Sequence, residues 1–437
     1  MPTPRSIQRT YLILMLGNTL AASFIWGINT IFLLDAGLSN AEAFAANAFF
    51  TAGMVLFEVP TGIVADTIGR RVSYLLGTIT LTLSTVLYVL LWQIDAPFWQ
   101  WAGASILLGL GFTFFSGAVE AWLVDALAAT GFDGDLESVF GRGQIVSGIA
   151  MLTGSVAGGL IAQATSLGVP FLVRAGVLAV MFVVAWRLMH DVGFTPEKGQ
   201  RPIAEMRKIT SDSIEYGWKV PAVKWLMLSS LFSGGVGIYA FYALQPYLLE
   251  LYGDPTAYSI AGLVAAIVAG AQILGGIAAP RIRRLFHRRT SALLGMSAFG
   301  VAALALIGVI EVFAAVIALI CVWGLLFAAE MPIRQAYING MIPSKQRATI
   351  LSFDSLMSST GGVWAQPVLG RAADVWGYAP SYLLSAGIAA VALPFIWLSR
   401  HEDNPADTMT GAPQPEPEQL PEPGDPLPAT DPPTAQA

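Results

Sequence analysis

Cysteine, histidine and charge are all scarce in this 437-residue chain. The single cysteine, Cys321, lies inside an apolar run, which excludes a disulfide framework or a cysteine metal site and leaves it as a small core hydrophobe. The histidines, His190, His287 and His401, fall between apolar runs or in the tail, and neither a phosphate-binding glycine loop with its lysine nor a carboxylate and histidine cluster occurs. No metal, no cofactor and no enzymatic activity are therefore expected. Charged residues make up only 12%, against about a quarter in soluble domains. The net charge of -6 comes from the end of the chain: eight of the 29 acids lie between Glu402 and Asp431, where no Lys or Arg occurs. The remainder holds 23 basic and 21 acidic residues, so no basic surplus points to nucleic acid.

What fills the space is apolar: 55% of residues are hydrophobic and the mean hydropathy is +0.63. Runs of about 18 to 25 residues, the length that spans a bilayer, recur near 11–34, 43–65, 72–93, 98–123, 143–165, 170–189, 222–249, 258–280, 291–310, 313–333, 349–370 and 379–398. Buried helices of a large soluble protein would keep a polar face, and these runs mostly do not. The expected fold is an all-α integral membrane protein of twelve transmembrane helices. No small-residue cleavage site follows Arg5 and Arg9, so the first run is read as a retained helix.

Lys and Arg concentrate on the cytoplasmic side of membrane proteins. With the N-terminus inside, the inner segments hold 20 of the 23: among them Arg70 and Arg71, seven between Arg187 and Lys224, and five between Arg281 and Arg289. Arg334 lies at the inner end of the tenth span; only Arg174 and Arg371 fall outside. Both termini are expected in the cytoplasm, in an inner or plasma membrane. The longest inner loop separates a six-helix half, 1–190, from a second, 222–400, through a linker at 191–221, where Ile203, Met206, Ile209 and Ile214 suit a short interfacial helix. A shift of 211 residues lays Phe171-Leu172-Val173-Arg174-Ala175-Gly176 on Tyr382-Leu383-Leu384-Ser385-Ala386-Gly387, a weak echo of the kind that parallel six-plus-six repeats leave. The 401–437 tail, with ten prolines from 403 onward, is expected to be disordered.

The most specific segment is Gly62-Ile63-Val64-Ala65-Asp66-Thr67-Ile68-Gly69-Arg70-Arg71. Gly62 suits a close helix approach, Asp66 a helix end or an ion pair, Gly69 a tight turn, and Arg70 and Arg71 cytoplasmic water. The segment resembles the major facilitator superfamily signature G-x-x-x-D-[RK]-x-G-R-[RK] between helices two and three, with Thr67 in place of the first basic residue. The resemblance extends from about 10 to 400 and implies two six-helix halves that rock about a central cavity. It also implies a relay in which Asp66 and Arg70 join an acid at the inner end of helix four, here Asp125, to hold the outward-open state; a solvated Asp125 is the bland alternative. In helix five, Gly141, Gly154, Gly158 and Gly159 supply four of the five glycines of the superfamily's antiporter signature, with Ala150 for the other and Ser155 for its proline. Gly154 and Gly158 make a flat face that, with Gly262, Ala266 and Gly270 of helix eight, suits packing across the halves. The Arg that drug exporters of this superfamily carry in helix four is missing; Gly109, Thr113, Ser116 and Glu120 share that face.

Ionisable residues inside a membrane are functional candidates. Glu58, Glu120, Glu330, Arg334 and Asp354 qualify. Glu330 and Arg334, four apart, suit an intrahelical pair, while alignment of helix four on helix ten sets Glu120 opposite Arg334 across an inner gate. Glu58 belongs either to the relay or to the substrate. Arg174, near an outer helix end, is expected to snorkel. The resemblance places helices one, four, seven and ten around the cavity, so Asn18 and Asn29, Tyr239 and Tyr242, and Trp323 and Phe327 are candidate lining residues, although aromatic stripes more often serve packing. Without an ATP site, transport is expected to be secondary: a monomer in the lipid bilayer exporting a small-molecule substrate, an organic compound, against protons, with Glu120 the first proton candidate. Proton-coupled nutrient uptake is the alternative within the class, and a non-transporting receptor or scaffold on the same fold the alternative outside it.

Overall fold

The computed structural model describes residues 2–196, 220–342 and 347–408, and among them the chain is helical apart from one isolated bridge. The interfacial helix expected at 203–214 lies outside the described residues. The first half comprises α1 (Pro4–Trp26), α2 (Asn29–Asp35), α3 (Asn40–Thr67), α4 (Arg70–Gln93), α5 (Phe98–Thr113), α6 (Ala118–Ala129), α7 (Leu136–Ala164) and α8 (Gly168–Leu188). The second comprises α9 (Pro221–Tyr252), α10 (Tyr258–Arg283), α11 (Arg289–Ile307), α12 (Phe313–Met341), α13 (Arg347–Trp376), α14 (Tyr378–Ala390) and α15 (Ala392–His401). Short connections make successive spans antiparallel, so one end of the bundle carries Arg70 and Arg289 and the other carries Asp35 and Asp374.

Among the described residues, ten helical segments are long and apolar enough to cross a bilayer, or eleven when the bent pair α1 and α2 counts as one. In that reckoning α5 with α6 forms a single segment, Phe98–Ala129, and α14 with α15 another, Tyr378–His401. The difference from the expected twelve is α13. Its 30 residues suffice in length, but Asp354, Ser358-Ser359-Thr360, Gln366, Arg371 and Asp374 dilute its apolar surface. Around the bundle, Leu83, Ile145, Val180, Leu274 and Phe299 stand exposed, a surface that acyl chains solvate and water does not.

The 47° bend between α1 and α2 has an identifiable cause. A Cβ on Gly27 would stand 2.9 Å from the Ala265 Cβ and 3.0 Å from the Gly262 Cα, so α1 touches α10 there and breaks. The break opens the hydrogen bond that a straight helix would form from the Thr30 N–H to the Trp26 carbonyl. Gln245 of α9, 3% exposed, fills it: its Oε1 accepts from the Thr30 N–H at 2.9 Å and its Nε2 donates to the Trp26 carbonyl at 2.8 Å.

The cores reveal how the halves meet. Toward the Arg70 end, one buried apolar cluster (Ile7, Tyr11, Leu14, Tyr74, Trp122, Met181) holds only first-half residues, and another (Val223, Leu226, Met296, Ile333, Tyr337, Ile396) only second-half residues. Toward the Asp374 end each core takes in side chains of the other half: Leu249 and Ala261 join the first-half core, and Phe44 the second-half core. Every side-chain hydrogen bond between the halves, among the described residues, lies toward this same end. Both oxygens of Asp374 accept from the first amides of α3, Asn40 N–H at 2.8 Å and Ala41 N–H at 2.9 Å, which completes that helix N-terminus from across the interface. Tyr378 adds a hydroxyl bond to Asn40 Oδ1 at 2.6 Å, and Ser259 bonds Gln163.

The expected disorder of the tail does not begin at 403. Asp407, 2% exposed, accepts from the Thr290 N–H at 2.8 Å and the Thr290 hydroxyl at 2.7 Å, while Arg289 bonds the Ala406 carbonyl. The segment thus serves α11 as a cap that no residue before Arg289 provides. From 409 onward the tail lies outside the described residues.

Candidate functional site

The loop signature assembles as charge chemistry requires. Arg70 forms an ion pair with Asp66 one turn earlier, and its Nε lies 3.9 Å from Asp125 of α6, so the three residues of the expected relay meet. Gly69 adopts φ +137°, where L side chains are strained, and a Cβ there would stand 2.5 Å from Asp191 Oδ2. Asp191 itself escaped the sequence reading. It accepts from the Arg71 N–H at 2.9 Å and so caps α4; the available signal was an acid just beyond a helix end. Gly62, expected at a close helix contact, has nothing within 4 Å of a built Cβ.

The glycines of α7 divide their work. A Cβ on Gly154 would strike Ser23 Oγ at 1.8 Å and one on Gly158 the Phe24 carbonyl at 1.9 Å, so this flat face receives α1 rather than the other half. Packing across the halves runs instead through Gly159, whose Cβ would lie 2.9 Å from the Gly262 Cα of α10. Gly141 faces open space. The polar face expected along the fourth span is not continuous either, because the helix is interrupted at 114–117, with Gly117 at φ +68°. Gly109 abuts the Phe50 carbonyl of α3, and Glu120 begins a new helix in its first turn.

Both readings of Arg334 give way to a third. Arg334 (8% exposed) pairs with neither Glu330 nor Glu120 but with Asp354 of α13, through Nη2 to Oδ1 at 2.5 Å and Nε to Oδ2 at 3.4 Å. Ser230, Ser229 and the Leu226 carbonyl of α9 take its other hydrogens. The reason is geometric: α9, α12 and α13 converge there, and a guanidinium fork needs several acceptors when taken out of water. Glu330 is left with a single neutral donor, the Ser297 hydroxyl, at 3.1 and 3.2 Å from its two oxygens. Glu58 accepts from Ser116 at 2.7 Å, joining α3 to the break in the fourth span and not to the relay. Glu120 has no partner among the described residues.

Two cavities in the bundle hold candidate residues. The first, of about 480 Å³, is walled by Trp26, Asn29, Asn47, Tyr88, Phe112, Arg174 and Tyr242, so the candidates Asn29 and Tyr242 are in place. Its wall crosses the halves, since Tyr242 comes from α9 and Trp26 stacks on Phe241 at 4.2 Å. The second, of about 520 Å³, belongs to the second half and holds Glu330 and Ser297 beside Trp323 and Phe327, which stack on one another at 5.4 Å. Asn18 instead accepts from the Tyr74 hydroxyl at 2.6 Å. Tyr239 is fully buried, its hydroxyl donating to Ser381 at 2.6 Å, and it packs on Phe44 rather than lining either cavity.

Arg174 overturns the snorkelling expectation. At 3% exposure it does not reach an interface; it enters the first cavity with its guanidinium carbon 5.6 Å from the Phe112 ring centre. Among the described residues it pairs with no acid, and its Nε, buried, donates to nothing. On α8 the guanidinium is carried inward by the stacking of Phe171 on Phe32 at 4.0 Å, which seats that helix against α2. Asn47 Nδ2 of the same cavity is likewise buried without a partner, while its Oδ1 accepts from Asn29 at 3.1 Å.

Comparison with known proteins agrees with this architecture. The profile of the Major Facilitator Superfamily matches residues 11–307 and 282–426. No curated protein sequence gives a significant match. Among solved structures, the chain is similar to the nucleoside transporter NupG (12% identity, TM-score 0.73, covering 90% of this chain and 98% of that one). It is also similar to an inward-facing, unoccupied bacterial homologue of the human lysosomal transporter Spinster (14%, 0.70, 94% and 100%) and to a D-xylose-proton symporter (15%, 0.62, 90% and 97%). At these identities the likeness is one of fold.

Proposed function

Because the chain belongs to the major facilitator superfamily and is a membrane transporter of that type, we propose that it exports a small organic compound in exchange for protons, by rocking two six-helix halves about the Arg174 cavity. The observation that carries the reading is the asymmetry of the interface: the halves share cores and hydrogen bonds toward the Asp374 end, and keep separate cores toward the Arg70 end. That is one of the two states alternating access requires. With the Arg70 end in the cytoplasm, as the Lys and Arg distribution favours, the state is inward-facing. In this reading α13 is the remaining span, its polar side chains turned to Arg334 and to the start of α3, where lipid does not meet them. The Asp66, Arg70 and Asp125 cluster is the first-half portion of a lock that closes the cytoplasmic end in the opposite state. The α7 glycines favour export over uptake.

Glu330 takes precedence over Glu120 as the proton carrier. It lines a cavity, its hydrogen-bond partner among the described residues is a neutral hydroxyl, and Arg334 makes its ion pair with Asp354. The test is flux in proteoliposomes under an imposed pH gradient, over a panel of organic compounds, with protein-free liposomes subtracting passive partition. Antiport drives compound into an acidic lumen and Glu330→Gln abolishes that accumulation while sparing exchange. Accumulation in an alkaline lumen would establish uptake, and Glu330→Gln pumping like wild type would remove Glu330 from the role.

A further inference from the structure

The cavity between the halves carries an unbalanced charge, and that imbalance identifies what it takes. We infer that the Arg174 cavity binds an organic monoanion, a carboxylate on an aromatic or comparably flat apolar body. The inference deepens the transport reading by naming its substrate class, and rests on it only for the direction in which the anion moves.

Arg174 stays protonated in any protein setting, so its enclosure places a full positive charge beside Trp26, Tyr88, Phe112 and Tyr242 with no acid among the described residues to balance it. A structural arginine looks different: Arg334, also buried, meets a carboxylate, two hydroxyls and a carbonyl. Two buried donors at the cavity wall, Arg174 Nε and Asn47 Nδ2, lack partners. The charged one decides the ligand: a buried guanidinium without an acid calls for an anion, and its fork matches a carboxylate. One cation balances one negative charge; a phosphate dianion would bring a second with no counter-charge. The rest of the wall is largely aromatic, with Trp26, Phe50, Tyr88, Phe112 and Tyr242, which suits a flat apolar body. The weak echo between the halves sharpens the point: the position matching Arg174 in the second half is Ser385, whose hydroxyl simply bonds the Ser381 carbonyl. A guanidinium is therefore no requirement of the helix packing at this place.

The test is equilibrium binding to the purified full-length protein in detergent, read by tryptophan fluorescence because Trp26 lines the cavity, with Trp26→Phe to identify the reporting residue. The probes are benzoate, cinnamate, 1-naphthoate and indole-3-acetate, each beside its primary amide, and phenyl phosphate. At least one carboxylate should bind about 10- to 150-fold more tightly than its amide, the range of a hydrogen bond to a charged group. Arg174→Gln should erase that preference and Arg174→Lys should retain part of it, which separates loss of charge from loss of fold. Phenyl phosphate should bind more weakly than benzoate. No carboxylate preferred over its amide in the wild type, a preference that survives Arg174→Gln, or tighter binding of the phosphate would each overturn the assignment. Because no gradient is imposed, an anion that binds without proton-driven flux would sink the exchange reading and leave this one standing.

Discussion

Two arginines are buried in this protein and differ in what surrounds them. Arg334 is enclosed among α9, α12 and α13, and its hydrogens go to Asp354, Ser229, Ser230 and the Leu226 carbonyl. Arg174 is enclosed between the halves, faces the Phe112 ring, and meets no acid among the described residues. Burial alone therefore does not tell what a charge is for; its partners do. A charge whose acceptors are all supplied by the chain holds the chain together. A charge whose acceptors are missing is waiting for something the chain does not contain.

The largest effect expected from this contrast is at the paired site. Arg334→Gln leaves Asp354 enclosed without its counter-charge, which costs about 3–5 kcal/mol and should appear as a strong drop in the thermal unfolding midpoint of the detergent-purified protein. Arg334→Met combined with Asp354→Leu should recover most of it, since both charges leave together. A double variant as unstable as the single one would mean that the pair matters through its hydroxyl and carbonyl bonds instead.

A smaller loss is expected where a neutral side chain mends the backbone between the halves. Gln245→Leu strands the Thr30 N–H and the Trp26 carbonyl at the bend of α1 and α2, at about 1–3 kcal/mol for each buried group left unsatisfied. It should also loosen the Asp374 end, so that cysteine pairs placed across that end crosslink less readily than in the wild type. Unchanged crosslinking would show that the Asp374 and Tyr378 contacts hold the halves without Gln245.

The smallest effect on stability should come from the unpaired arginine. Arg174→Gln removes an uncompensated buried charge and creates none, so the unfolding midpoint should move by the equivalent of about 1 kcal/mol or less, with a gain as acceptable as a loss. A destabilisation matching that of Arg334→Gln would erase the contrast and make Arg174 a structural residue.

Much of the relevant chemistry was legible in the residues. Asp66, Arg70 and Asp125 lie close in sequence to helix ends that a membrane protein must place at one side, so their meeting needed little tertiary information. The intramembrane candidates were identified because a charge in an apolar run has few explanations. Their partners were a different matter. The intrahelical guess for Arg334 used a spacing of four, and the interhelical guess used a repeat alignment; neither knew that α13 would set Asp354 beside it. Arg174 was misread because distance along a helix from its end was the only available measure of depth, and that measure ignores what surrounds the side chain. Gln245 gave no signal at all, since a single amide in an apolar run says nothing about a helix that breaks 215 residues earlier.

By itself the sequence determined that this protein lives in a membrane, that most of its helices span it, and that its loop signature resembles that of the major facilitator superfamily, because the bilayer imposes length and apolarity locally on every span. Only the tertiary structure decided which arginine is satisfied and which is open, at which end the halves are joined, and where α1 breaks. Those outcomes depend on side chains up to 338 residues apart, such as Tyr378 and Asn40 at the start of α3, arriving at the same few ångströms. No local pattern records such an arrival, because hydrogen bonds and ion pairs are decided by distances that only packing sets.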